Sequence, residues 1–136
     1  MKKFNFLMFI DDNEGTNCYN KFIVDELNIT QKTFFFQKAE NALQYFETIG
    51  ENEDIIYPDV IFLDINMPKI DGWAFIDKYK KMQPRKISPI IMLSTSLSPR
   101  DKAKMSNNSF VYGFWEKPLE EERILALQKI WAKGIL

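Results

Sequence analysis

The chain alternates short apolar runs with segments whose apolar residues recur every three or four positions. Residues 4–10 are apolar except at Asn5, as in a strand buried on both faces. Residues 14–27 carry Tyr19, Phe22, Ile23 and Leu27 at helical spacing, which predicts a helix with that face inward. Residues 33–36 read as a short aromatic strand, and 39–49 as a helix striped by Ala42, Tyr45, Phe46 and Ile49. Residues 60–63, after Pro58-Asp59, are the most apolar strand. A third helix opens near Asp71 or Gly72 with Phe75, Ile76 and Tyr79 inward, and Trp73 is expected to pack partly buried. It ends before Pro84, which cannot continue it. Residues 90–93 are a fourth strand. Ser98-Pro99 reads as an N-cap and a first-turn proline, opening a helix to about Ser106 with a poor apolar face. Residues 110–115 are a fifth strand, and 119–133 a last helix aligned on Ile124, Leu127 and Trp131. The acidic stretch 50–54 is the one loose loop, and there is no internal repeat, low-complexity tract or linker.

Five alternations of apolar strand and helix predict an α/β fold with a parallel sheet and helices on both faces. In open sheets of this kind, ligands bind beyond the carboxyl ends of the strands, where strand order reverses. The residues that follow each strand are therefore the candidates for chemistry. Asp11-Asp12 follow the first, Asp64 the third, Ser94-Thr95-Ser96 the fourth and Lys117-Pro118 the fifth. Gln37-Lys38, after the second, are unremarkable. A lone Asp at a strand end is an ordinary turn or cap residue, and Asp11 or Asp12 could cap the first helix. Carboxylates, hydroxyls and an ammonium at four strand ends together call for a chemical explanation.

Composition narrows that chemistry. A chain of 136 residues is about one domain and can bury a core without disulfides or metals. Hydrophobic residues at 46% and charged residues at 27% are ordinary for a globular chain, and 12 Phe predict a heavy core. With 18 Lys and Arg against 19 Asp and Glu, the chain lacks the basic field of a general nucleic-acid binder. The single cysteine, Cys18, cannot form an internal disulfide, so no oxidising compartment is required. There is no histidine, which removes His-ligated zinc, Ser-His-Asp catalysis and any phosphohistidine within the chain. No apolar stretch approaches the ~20 residues of a spanning helix. Lys2-Lys3 and the run behind them imitate a signal peptide, but that run meets Asp11-Asp12 with no small-residue cleavage site. The cytoplasm is the expected location.

Two carboxylates about 4 Å apart repel by on the order of 4 kcal/mol at an effective dielectric near 20. A carboxylate cluster with one lysine stays net negative and is costly unless a cation joins it. Hard oxygen ligands suit magnesium better than calcium, and zinc is improbable without histidine. A divalent ion, an ammonium and a hydroxyl are the parts for handling a phosphoryl group, and an Asp can itself be the nucleophile. There is neither a Walker A sequence nor a Gly-x-Gly-x-x-Gly, so a nucleotide ligand is not expected.

These residues resemble the receiver domains of two-component response regulators. The likeness runs from Phe4 to about Trp131. It is carried by Asp11-Asp12, by Asp64-Ile65-Asn66-Met67-Pro68 with Asp71-Gly72 behind it, by Ser94-Thr95 and by Lys117-Pro118, at close to the family's spacing. The resemblance implies a flavodoxin-like, doubly wound (βα)5 sheet in strand order 2-1-3-4-5. It implies that Asp64 is the phosphoacceptor, taking its group from a sensor histidine kinase or a His-phosphotransfer protein. Magnesium, or manganese in its place, would be held by Asp12, Asp64 and the Asn66 backbone carbonyl, with Asp11 acting through water. Lys117 would pair with a carboxylate and then with the phosphoryl group. Ser94 would bind a phosphoryl oxygen; Thr95 is the second hydroxyl, at a place where a small residue is common in the family. Phe114 would be the aromatic switch, turning inward as Ser94 moves, without the hydroxyl a tyrosine would bring. Asn66 and Ser96 occupy the two places that tune loss of the phosphoryl group, and Pro118 would follow a cis peptide bond.

Residues 1–136 are expected to be a single receiver domain with no output domain, acting as a monomer or weak dimer through contact with a downstream protein. The expected surface is that of the fourth helix, fifth strand and fifth helix, where alternation places Tyr112 and Phe114 on one side. Neither DNA nor membrane contact is expected. A degenerate receiver that binds a partner without phosphorylation is the alternative. A magnesium-dependent aspartyl-phosphate phosphatase fits less well, because Asn66 stands where such enzymes carry a second Asp. A flavodoxin-like electron carrier fits poorly, because Asp11-Asp12-Asn13-Glu14 would repel a flavin phosphate.

Overall fold

The structure is a computed structural model that describes residues 2–49 and 56–136. The acidic stretch 50–54 lies outside the described residues. The elements run β1 (Leu7–Ile10), α1 (Glu14–Leu27), β2 (Thr33–Phe36), α2 (Ala39–Ile49), β3 (Val60–Leu63), α3 (Gly72–Lys81), β4 (Ile90–Ser94), α4 (Pro99–Ser106), β5 (Val111–Glu116) and α5 (Glu121–Ala132). The strands pair in parallel in the order β2-β1-β3-β4-β5, as expected.

Alternation along the three inner strands feeds two cores. Met8, Ile10, Ile61, Leu63, Ile90 and Met92 pack with Phe46, Phe75 and Tyr79 of α2 and α3. Leu7, Phe9, Val60, Phe62, Ile91 and Leu93 pack with Ile23 and Val24 of α1 and with Ile124 and Leu127 of α5. Register aligns Phe35, Phe9 and Phe62 across β2, β1 and β3, and the rings stack at 5.1 and 4.6 Å between centroids.

Four local readings are corrected. β1 begins at Leu7 because the carboxylate of Asp59 takes the backbone N–H groups of Asn5 and Phe6, which leaves Phe4 a single bridge to Thr30. The inward face of α1 is Asn17, Asn20, Ile23 and Val24, whereas Phe22 is 60% exposed and Tyr19 is also exposed. Trp73 is buried rather than partly buried. The register between β4 and β5 slips by one residue at Tyr112, pairing Ile90 with Val111 and Ile91 with Gly113. The slip breaks the alternation, so Val111 and Phe114 join the α2–α3 core, and Tyr112 stands out at 51% exposed.

Candidate functional site

Topology brings the strand ends together. Ile10 and Leu63 are partners in register, so Asp11 and Asp64 leave the sheet side by side where the strand order reverses. Backbone bonds fix both: Asp64 N–H donates to Ile10 O at 2.9 Å, and Asp11 N–H to Phe36 O at 2.9 Å. Ser94 closes β4 opposite Glu116, and the next residue, Lys117, donates its N–H to Ser94 O at 2.8 Å. The described chain therefore carries Asp11, Asp64, Ser94 and Lys117 on four adjacent strand ends.

The side chains converge. Asp11, Asp12 and Asp64 each offer a carboxylate oxygen, and these oxygens lie within 4.8 Å of one another. Asp11 and Asp64 are 3% and 6% exposed, while Asp12 faces solvent. Lys117 Nζ is 2.6 Å from Asp11 Oδ2 and 3.6 Å from Asp64 Oδ2. Ser94 Oγ donates to Asp64 Oδ1 at 3.2 Å. Burial, and then the charge of Asp11, push the Asp64 carboxyl up to about 6, against the opposing pull of Lys117, Ser94 and the Asn66 backbone. One ammonium does not balance three carboxylates. The donor set is all oxygen, negative and open on the Asp12 side, and it fits a hard divalent cation.

The loops around the cluster have local causes. Asn13, not Asp11 or Asp12, caps α1: its Oδ1 accepts from Thr16 N–H at 2.9 Å. That leaves both aspartates available. Asn13 N–H also donates to Asp11 Oδ1 at 2.9 Å, and Asn17 Nδ2 donates to Asp11 O at 2.9 Å. Asp71 caps α3 by accepting from Ala74 N–H. Gly72 is required by close approach, because a Cβ there would stand 2.6 Å from the Asp64 carbonyl oxygen.

The remaining candidates separate. Asn66, Thr95 and Ser96 are exposed at the rim, and the hydroxyl that bonds to Asp64 is that of Ser94. Phe114 is partly buried against the α2–α3 core, beside Met92 in register. The Lys117–Pro118 peptide is cis. Sequence reasoning missed Asn13, Asn17 and a contact behind the site. In that contact Trp73 Nε1 donates to Asp101 Oδ1 at 2.9 Å, joining the start of α3 to the first turn of α4. Tyr, Phe and Ile dominate the periodicity of α1 and hide its asparagines, and Trp73 and Asp101 meet only through the fold.

Residues 7–129 match the family model described as response regulator receiver domain. A two component response regulator from Cytophaga hutchinsonii superposes with a TM-score of 0.80 at 29% identity, covering 97% of each chain. Protein PilG of Pseudomonas aeruginosa is 31% identical over 65% of this chain and 64% of its own. The "probable transcriptional regulator ycf29" of Porphyra purpurea is 25% identical over 93% of this chain, which spans 55% of that protein's length. Among the described residues no helix is long and apolar enough to cross a membrane.

Proposed function

The chain belongs to the response regulator receiver domain family, and from that premise we propose that Asp64 accepts a phosphoryl group from the phosphohistidine of a sensor histidine kinase or His-phosphotransfer protein. The modification then changes a protein-binding surface. The observation that carries this reading is the convergence at the β3 terminus: Asp64 with Asp11 and Asp12 on one side, and Ser94 and Lys117 on its two carboxylate oxygens.

In the transfer an Asp64 carboxylate oxygen attacks phosphorus and forms the O–P bond of an acyl phosphate. The P–N bond of the donor breaks, and its electron pair stays with the departing imidazole. Lys117, already 3.6 Å from Asp64, places an ammonium beside the incoming phosphoryl oxygens. Ser94 exchanges its bond to Asp64 Oδ1 for one to a phosphoryl oxygen. Asp12, Asp64 and the Asn66 carbonyl would hold Mg2+, or Mn2+, directly, and Asp11 through water. Bound there, the ion supplies positive charge that offsets the crowded carboxylate and phosphoryl oxygens.

Phe114 turns toward the space Ser94 leaves, and the face of α4, β5 and α5 presents the change to a downstream protein. Thr95 plays the lesser part, and Asn66 and Ser96 set the access of water to the acyl phosphate. The chain acts in signalling as an acceptor, without turning over an external substrate. It works in the cytoplasm as a monomer or weak dimer, without contacting DNA.

Borohydride trapping tests the site. After treatment with acetyl phosphate and Mg2+, borohydride reduces an aspartyl phosphate to homoserine, and peptide mass mapping locates it. Conversion at residue 64 is the expected result. Conversion at Asp11 or Asp12, or none, contradicts the assignment.

A further inference from the structure

Among the described residues, no hydrogen bond or ion pair holds the carboxylate of Asp12, the most exposed member of the cluster. The backbone that carries it sets the point from which it reaches the cluster. That backbone is the peptide unit joining Asp11 to Asp12, which is planar, so fixing the Asp11 carbonyl also fixes the Asp12 N–H and the Cα from which its side chain leaves. One side chain makes that bond: Asn17 Nδ2 donates to Asp11 O at 2.9 Å from one turn into α1. The donor must be the nitrogen, because a flipped amide would set oxygen against oxygen.

Asn17 sits at a cost. It is 7% exposed, on the face of α1 that packs against the sheet, and its Oδ1 has no partner among the described residues. A buried unsatisfied amide oxygen destabilises a fold, and an apolar side chain would serve packing better. Asn20, one turn on, is the natural comparison. It is also buried, its Nδ2 is also unpartnered, and among the described residues no hydrogen bond ties it to Asp11 or Asp12. Asn17 differs from Asn20 by the bond to Asp11 O.

We propose that Asn17 is a positioning residue for the cation site: it holds the Asp11–Asp12 peptide so that the Asp12 carboxylate meets the ion without rearrangement. The inference rests on the proposed function and names a residue that acts through the backbone of two others. Groups that orient metal ligands typically change metal affinity by about 10- to 100-fold when removed.

The test uses the full chain with Mg2+ alone as probe, measuring its dissociation constant by calorimetry and thermal melting in chelator. Asn17→Leu keeps the size of the side chain without the donor, Asn17→Ala guards against a misfit of leucine, and Asn20→Ala is the control for packing. The expected result is Mg2+ binding weakened about tenfold or more in both Asn17 variants and unchanged in Asn20→Ala, whatever each does to the melting temperature. Wild-type affinity in both Asn17 variants overturns the inference and leaves the proposed function standing. A wild-type chain that takes up no Mg2+ overturns both.

Discussion

Asp64 is a carboxylate held against its surroundings. Burial and the neighbouring Asp11 raise it to about 6, so at neutral pH the metal-free chain carries an ionised group that its fold disfavours. The linkage has a definite sign. A carboxyl raised in the folded state favours folding below its unfolded value near 4, and that advantage is lost as pH rises through about 6. In chelator, Asp64→Asn is therefore expected to melt above wild type at pH 7, by the equivalent of about 2–3 kcal/mol, with the gap closing toward pH 4. Melting curves of the two proteins across that range check it, and a gap independent of pH contradicts it. The same residue explains a neighbouring glycine, since only Gly72 lets α3 start against the Asp64 carbonyl.

At the scale of elements, α4 is the segment held by the fewest apolar contacts. None of its residues is buried, and among them only Met105 packs against the α2–α3 core. Its start is fixed by polar bonds instead. Asp101 closes a capping box with Ser98 and accepts the Trp73 indole N–H, and the side-chain bonds to Trp73 and Ser98 help hold its carboxyl below the usual range. Trp73→Phe is expected to lose about 1–3 kcal/mol and to speed amide exchange in α4 more than elsewhere. A lowered carboxyl stabilises above its unfolded value and loses that effect as pH falls through its folded one, so the deficit should shrink in acid below about pH 4. Hydrogen exchange with melting at two pH values checks both, and uniform exchange across the chain contradicts the local role. The elements themselves were legible because each strand is a compact apolar run and each helix carries caps or a stripe; Ser98-Pro99 and Asp71-Gly72 marked their helices closely. What escaped was decided by tertiary contacts. Asn17 faces inward where its amide meets the Asp11 carbonyl, and Tyr112 leaves the alternation because β5 gains a residue against β4.

At the scale of the whole molecule, strand order makes the site. β1 and β3 are neighbours although α1, β2 and α2 intervene in sequence, so Asp11 and Asp64 meet at the crevice where the winding reverses. That convergence was legible, because acidic residues at successive strand ends have one place to go in a parallel sheet. The distances were not, and they distinguish the members: Lys117 lies against Asp11 at 2.6 Å and farther from Asp64, and Ser94 rather than Thr95 bonds to Asp64. We propose above all that this cluster is a cation-dependent phosphoryl acceptor. Intact mass after incubation with acetyl phosphate, in Mg2+ and then in excess chelator, beside Asp64→Asn, tests it most directly. One phosphoryl adduct is expected, forming with Mg2+ and absent both in chelator and in Asp64→Asn. An adduct that persists without Asp64 or without the ion, or none in Mg2+, contradicts it.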